Sequence, residues 1–128
     1  MTELQDLMWK NVGLFRTEQK LEEALARIKE MQKKDLWNIF IPNNTPFNQA
    51  LLDWYELRAG LLCAESVALS AINRKESRGA HQREDLPDAS PEFELNQTIE
   101  LKGDRLVSDW AAVPRTSVDL EKKQLTKL

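Results

Sequence analysis

The sequence predicts a mainly α fold, in which a three-helix bundle with a long central helix is followed by an irregular tail with a candidate β-hairpin. Apolar residues recur at helical spacing in three segments before residue 79. After Gly79, prolines and polar residues discourage helix. The 128 residues are enough for one domain with a core. We therefore expect a helical bundle domain at 1–92, which includes a charged loop, and an extended tail at 93–128.

The first two helices are marked by residues at their ends. Thr2, with Gln5 three positions later, has the spacing of a capping box, and Gly13 is expected to end this helix in a left-handed conformation. Thr17 is expected to cap the second helix. The second helix carries an apolar stripe that consists of Leu21, Ala24, Leu25, Ile28 and Met31. This stripe predicts one buried face.

An apolar connector at 35–44 leads to the third helix. We favour packing of this connector on its own helices over contact with another protein surface. Thr45 and Pro46 predict the start of the helix, which is expected to end near 77–79. Its second half is apolar on nearly all faces, which is typical of a buried helix, so Cys63 is expected to be a buried small hydrophobe.

The tail contains two short segments of strand-forming residues, 98–101 and 105–110, on either side of Lys102-Gly103-Asp104. This pattern predicts a β-hairpin, which would need the bundle or a partner to rest on. Residues 118–128 are expected to form a short charged helix or to fray. The four tryptophans are spread one per segment, which is the distribution expected of core and edge packing.

The scarce residue types exclude several classes of site. With four Gly, one Cys and one His, the chain has no phosphate-binding glycine loop, no zinc site built from Cys and His and no iron–sulfur cluster. The net charge of −3 argues against a nucleic-acid partner. No apolar stretch approaches the ~20 residues of a membrane helix, and the first residues lack a signal-peptide pattern. We therefore expect a cytoplasmic protein without direct membrane insertion.

The densest set of polar residues lies at 73–87 and includes His81, the single histidine. An enzyme would use His81 as a general base, with an acidic neighbour orienting it and an arginine binding a carboxylate substrate. The alternative is a loop that charge-assisted hydrogen bonds hold at the end of a helix. We favour the loop, because the chain offers no second histidine, usable nucleophile or cofactor motif.

The stretch from Arg74 to Pro87, RKESRGAHQREDLP, resembles the signature R-x-E-S-R-G-A-H-x-R-x-D-[YF]-P of a known family. That signature belongs to the C-terminal helical domain of succinate dehydrogenase and fumarate reductase flavoproteins. The stretches 8–24 and 47–71 are similar to the opening helix pair and the long helix of the same domain. The resemblance covers about residues 2 to 98, and the opening helix pair also resembles L-aspartate oxidase.

The resemblance implies a bundle appended to a flavin domain and a capping domain, neither of which this chain contains. In the family those domains carry the FAD and the catalytic groups, so we assign no catalytic, cofactor-binding or metal residue here. FAD is implied for the parent protein only. The implied partners are the flavin and capping domains and an iron–sulfur subunit, in a complex peripheral to the membrane. The docking candidates are Arg74, Glu76, Ser77, Arg78, His81, Arg83 and Asp85.

These features lead to one main hypothesis and two alternatives. We expect the C-terminal helical domain of a FAD-dependent flavoprotein of the succinate dehydrogenase/fumarate reductase type, with a structural and docking role and no activity in isolation. The alternatives are a free-standing helical protein-interaction module and the corresponding domain of L-aspartate oxidase. If the charged loop serves docking, replacing Arg78 or Arg83 with Ala should leave the melting temperature of the bundle almost unchanged.

Overall fold

The computed structural model describes residues 1–43 and 46–114. The helices and strands are, in order, α1 (Thr2–Asn11), β1 (Phe15–Arg16), α2 (Glu18–Lys33), α3 (Gln49–Asn73), β2 (Gln82–Arg83), β3 (Leu95–Lys102) and β4 (Arg105–Ala112). Short 3₁₀ turns lie at Asp35–Asn38 and Pro91–Phe93. The predicted mainly α fold, with three helices and a C-terminal strand pair, is confirmed within these residues. The prediction for residues 118–128 falls outside them.

The ends of α1 and α2 follow the sequence only in part. Thr17 caps α2 as predicted, because its hydroxyl accepts the backbone N–H three residues on at 3.3 Å. The predicted cap Thr2 is wrong, since Thr2 is already the first helical residue of α1. Gly13 follows α1 but does not have a positive φ. A Cβ at Gly13 would lie 2.7 Å from the carbonyl oxygen of Trp9, so close approach of the backbone, not left-handedness, requires glycine there.

Helix α3 is shorter at both ends than the sequence predicts. Asn48 caps it by accepting the N–H of Leu51 at 3.1 Å, and Pro46 precedes the helix instead of occupying its first turn. Thr45, the predicted cap, lies outside the described residues. The helix ends at Asn73 and not near residue 79, because the backbone after Asn73 turns to bury side chains of the charged loop.

The core lies where α2 meets α1 and α3. Its buried apolar residues are Leu4, Val12, Leu21, Ala24, Ile28, Met31, Leu36, Leu61, Ala64, Ala68 and Ala71. Helix α3 contributes one stripe of Leu and Ala to this core, and Leu62 and Val67 on other faces of its second half are exposed. The prediction that this second half is buried on nearly all faces is therefore wrong, and Cys63 is exposed.

The connector between α2 and α3 leaves most of its large apolar side chains in water. Leu36 is buried, and its carbonyl accepts the indole N–H of Trp54 at 2.8 Å. Trp37 and Phe40 are exposed, the latter by 86%. The predicted packing of the connector on its own helices therefore holds for Leu36 and fails for Phe40. Trp37 packs on α3 by one edge only, since its ring centroid lies 5.6 Å from that of Trp54. Trp9 is 84% exposed, so the expectation that every tryptophan serves core or edge packing is also wrong.

The predicted hairpin is confirmed and is longer than expected. Strands β3 and β4 pair antiparallel from Leu95 to Ala112 around a two-residue turn. Gly103 in this turn has φ +62°, a conformation that glycine adopts without a steric penalty. The hairpin rests on the end of α3, where the guanidinium of Arg74 lies 5.0 Å from the ring centroid of Trp110. The domain division at 92/93 stays a prediction.

None of the helices in the described part of the chain has the length and apolar character needed to cross a bilayer.

Candidate functional site

The charged loop, residues 74–87, is anchored to the segment between α1 and α2 by a short parallel pairing. Phe15 is in register with Gln82, and Arg16 with Arg83. The N–H of Glu84 donates to the carbonyl of Arg16 at 2.8 Å. Strands of two residues have no readable pattern, so residue types and spacing do not indicate this contact across more than 60 positions. The pairing places the start of α2 beside the loop.

Glu76 is a fully buried carboxylate at the centre of one half of the loop. Its Oε1 accepts hydrogen bonds from Nη1 of Arg74 at 2.6 Å and from Nε of Arg78 at 2.9 Å. Its Oε2 accepts from Nη2 of Arg78 at 3.0 Å and from the N–H of Ser90 at 2.8 Å. The bonds from Arg78, Ser90 and Arg74 outweigh the cost of burial and lower the pKa of Glu76 to about 2. Glu76 is therefore ionised and saturated by partners in its own domain.

Arg83 and Asp85 form the other half of the loop. The guanidinium of Arg83, whose residue is 1% exposed, donates from Nε and Nη2 to the two oxygens of Asp85, both at 2.7 Å. Oδ2 of Asp85 also accepts the N–H of Glu18, the first residue of α2, at 2.9 Å. These bonds, with that from Arg83 the strongest, hold the pKa of Asp85 well below its usual range. The pair thus ties the loop to the positive end of the α2 dipole.

Ser77 fixes the path of the loop between these two charge pairs. Its hydroxyl donates to the carbonyl of Leu86 at 2.8 Å and accepts the N–H of Arg83 at 2.8 Å. Its own N–H donates to the carbonyl of Asp88 at 3.0 Å. Ser77 is buried, so these bonds satisfy polar groups that water does not reach.

His81 is held as a neutral ring. Nη1 of Arg16 lies 2.7 Å from Nδ1, and since a guanidinium can only donate, Nδ1 accepts and Nε2 carries the proton. Nε2 then donates to the carbonyl of Arg74 at 2.9 Å. Burial, and then the charges of Arg16, Arg83 and Arg74, lower the pKa of His81, against the opposing effect of the Arg74 carbonyl. Both ring nitrogens have hydrogen-bond partners within the domain, so the ring has no free lone pair with which to act as a general base.

The structure brings all seven docking candidates into one network. It also adds three contributors that the sequence did not suggest, namely Arg16, Glu18 and the N–H of Ser90. Glu76, Ser77 and Arg83 face inward, while the side chain of Arg78 is 41% exposed. The network has the form of a loop held by charge-assisted hydrogen bonds. A docking role for these residues stays a proposal.

The described residues do not form a dinucleotide-binding site of the kind that would fit the FAD, which the family resemblance implies for the parent protein. A dinucleotide site of the usual kind needs a glycine-rich turn between a strand and a helix. Gly13 follows α1, Gly60 lies inside α3, and Gly79 and Gly103 lie in separate turns. The same part of the chain contains no group of three or more His, Cys, Asp or Glu side chains placed to hold a metal ion.

The fold and the network define a helical bundle domain whose charged loop is paired internally. Comparison with known proteins identifies the family to which this domain belongs. The model of the family described as the C-terminal region of the fumarate reductase flavoprotein matches residues 1–126, and the chain belongs to this family. The match extends past the range 2–98 that the sequence motifs cover and includes the hairpin.

Similar proteins agree with this assignment. A fumarate reductase (CoM/CoB) polypeptide of Methanothermobacter marburgensis is 39% identical over 102 residues, which are 77% of this chain and 18% of that protein. The chloroplastic L-aspartate oxidase of Arabidopsis thaliana is 33% identical over 86% of this chain and 17% of its own length. Among solved structures, the E. coli quinol fumarate reductase FrdA has a TM-score of 0.82 and 29% identity over 91% of this chain and 21% of its own. The chain therefore spans about a fifth of the proteins that it matches.

Proposed function

We propose that this chain is the C-terminal helical domain of a FAD-dependent flavoprotein subunit of the succinate dehydrogenase/fumarate reductase type. In that protein the domain would dock against the flavin and capping domains, with its charged loop as an ordering and docking segment, and it would perform no catalysis itself. The observation that carries the proposal is the family match over residues 1–126, in relatives of which the chain covers only about a fifth. The parent reaction would be the oxidation or reduction of a dicarboxylate through FAD.

The exposed apolar side chains support a docking role. Trp37, Phe40, Leu52 and Tyr55 are exposed on the connector and the first half of α3. The rings of Trp37 and Tyr55 both contact that of Trp54, with centroids 5.6 and 5.2 Å away, and contiguous exposed apolar surface is typical of a site that binds another protein surface. The flavin and capping domains of the parent protein would provide that surface. We name this set of four residues the connector patch.

The charged loop would contribute to docking by giving the domain a fixed shape. Its buried members, Glu76 and Arg83, hold the loop against α2, and its exposed members, including Arg78, would face the neighbouring domain. Two finer parts of the same proposal are a further partner, which would be an iron–sulfur subunit, and a peripheral position on the cytoplasmic face of a membrane.

The first test concerns the isolated chain. We expect the purified 128-residue protein to be colourless and inactive as a fumarate reductase or succinate dehydrogenase. A flavin absorbance band at near-stoichiometric occupancy would contradict the proposal. The encoding gene gives an independent check, because a reading frame that continues upstream of Met1 into a flavin domain supports the proposal.

The second test concerns the connector patch. The chain is co-expressed with a flavoprotein of the same family from which the C-terminal domain has been deleted, and capture of one by the other is measured. We expect the double variant Trp37→Ser and Phe40→Ser to lose capture. The control Leu101→Ser, which changes an exposed apolar side chain next to the hairpin turn, should retain it. Equal capture by both variants would exclude the connector patch as the docking surface.

Two alternatives remain as proposals, each with its own supporting observation. The similarity to the Arabidopsis L-aspartate oxidase favours the corresponding domain of such an enzyme, and assays of the parent protein with aspartate and with succinate distinguish the two. The exposed connector patch also suits a free-standing interaction module. A ribosome-binding site directly upstream of Met1 would support that module and count against the main proposal.

A further inference from the structure

Arg16 differs from the other arginines of the described chain. Four of them pair with carboxylates, namely Arg27, Arg74, Arg78 and Arg83. Arg58 and Arg105 have no carboxylate partner among the described residues, but both are exposed to water. Arg16 is half-buried and still has no carboxylate within ion-pair distance in the described ranges. A cation that has lost part of its hydration without gaining an opposite charge carries a free-energy cost that an anion would remove.

The hydrogen bonds of Arg16 leave this charge uncompensated. Its Nε donates to the carbonyl of Gly13 at 2.6 Å, and its Nη1 donates to Nδ1 of His81 at 2.7 Å. Both acceptors are neutral. Nη2 makes no hydrogen bond to any described residue, although a guanidinium has five N–H groups to donate. Partial burial without a counter-charge also lowers the pKa of Arg16.

Arg16 lines a cleft of about 340 Å³ between α3, β1 and β3. Val67, Ala71 and Ile99 form apolar parts of its wall. None of the described residues that line it is an aspartate or glutamate. Arg74 also borders the cleft, but its guanidinium is engaged by Glu76 and by the carbonyls of residues 93 and 95. The cleft therefore combines one uncompensated guanidinium with a short apolar surface.

We propose that this cleft binds a carboxylate, held by the unused N–H groups of Arg16, with the aliphatic part of the ligand against Val67 and Ile99. The planar fork of a guanidinium matches the two oxygens of a carboxylate, and such charge-assisted bonds are stronger than neutral ones. The carboxylate has two candidate sources, a small free aliphatic acid or an acidic side chain of a neighbouring polypeptide. The site is separate from the connector patch and does not depend on the proposed function.

His81 reports on this site, because it is the single histidine of the chain and touches Arg16. The charged groups that face its ring are Arg16 on β1, Arg74 at the end of α3 and Arg83 on β2. A carboxylate bound to Arg16 offsets part of this positive charge. Binding therefore raises the pKa of His81 toward its ordinary value. The methyl groups of Ile99, on the cleft wall, provide a second signal that does not depend on titration.

The test is an NMR titration of the 128-residue chain with sodium propionate, against sodium chloride at equal ionic strength. We expect saturable shifts of the Ile99 methyl signals and a raised pKa of His81 with propionate, and neither change with chloride. Arg16→Gln should weaken propionate binding about tenfold or more, and Arg16→Lys, which keeps the charge but not the fork, should weaken it less. Arg105→Gln removes an exposed arginine near the hairpin turn and should leave binding unchanged.

A second ligand distinguishes the two sources. The capped amino acid N-acetylglutamate N-methylamide presents the same carboxylate on a peptide unit. Tighter binding of this compound supports a protein side chain as the natural ligand, and tighter binding of propionate supports a free acid. The proposal is overturned if neither compound gives saturable shifts beyond the chloride control. It is equally overturned if folded Arg16→Gln and Arg16→Lys proteins, checked by their methyl spectra, bind both compounds as the parent chain does.

Discussion

Replacing Glu76 with Gln removes a buried negative charge on which two arginines and a backbone N–H converge. Removing one partner of a buried charge pair costs about 3–5 kcal/mol, because the remaining charge stays buried without compensation. The pKa of Glu76 gives a second estimate. A shift from 4.5 to about 2 corresponds to about 3–4 kcal/mol, at about 1.4 kcal/mol per pKa unit. We therefore expect Glu76→Gln to lower the free energy of unfolding by about 3 kcal/mol.

Urea unfolding of the two proteins, followed by circular dichroism, measures this difference. The control is Glu100→Gln, which removes an exposed carboxylate that pairs with Lys102 at 3.2 Å on the hairpin. Such a surface pair contributes about 0–1 kcal/mol, so the control should unfold almost as the parent does. Equal losses for the two variants would refute the reasoning that burial makes Glu76 important.

The same carboxylate predicts how stability depends on pH. Because the pKa of Glu76 is lower in the folded chain than in the unfolded chain, the unfolded chain binds the proton first as the pH falls. The contribution of Glu76 is therefore fully present above about pH 4.5 and is lost as the pH falls toward about 2. Urea unfolding across this range should show a smaller loss for Glu76→Gln than for the parent. If the free energy of unfolding falls equally with pH in both proteins, Glu76 is not the group responsible for the loss.

Three further predictions concern the charged loop. Arg83→Ala should destabilise the domain by about 3 kcal/mol in urea unfolding, because it leaves the carboxylate of Asp85 without its guanidinium partner. An unchanged stability would instead support the expectation that Arg83 serves only to dock the domain. By NMR, His81 should titrate below its ordinary pKa of 6.5, so stability should fall as the pH drops below about 6.5, where the unfolded chain takes up the proton first. Gly79→Ala should cost about 1 kcal/mol from its φ of +57° alone, since open space surrounds the position, and a larger loss would indicate a steric clash.

Local signals in the sequence account for the elements that were predicted well. Thr17 caps α2 through an atom only three residues away, and the stripe that begins at Leu21 is buried at helical spacing. The hairpin turn needs a positive φ, and Gly103 supplies it at the predicted place. These features depend on neighbours within a few positions, so residue types and spacing are sufficient to identify them.

Other features depend on partners that spacing cannot reveal. The sequence pattern extends α3 to about residue 79, but the helix ends at Asn73 because Glu76 is turned inward to meet Arg78 and Ser90. The apolar pattern of α3 also predicts burial on faces that the bundle leaves exposed, including Cys63. A hydrophobic pattern shows that a face is suited to burial, and it does not show whether this chain or another surface covers it.

The motif from Arg74 to Pro87, with the apolar periodicity before it, was sufficient to predict a helical bundle of this flavoprotein family. That the bundle has no cofactor site of its own stays a prediction. Only the tertiary structure decided what the motif does inside the domain. It brings Asp85 onto the first N–H of α2, 67 positions away, and places Arg16 against His81. The physical reason is that charges contribute strongly where burial brings them to within about 3 Å of each other, and chain folding, not sequence spacing, sets those distances.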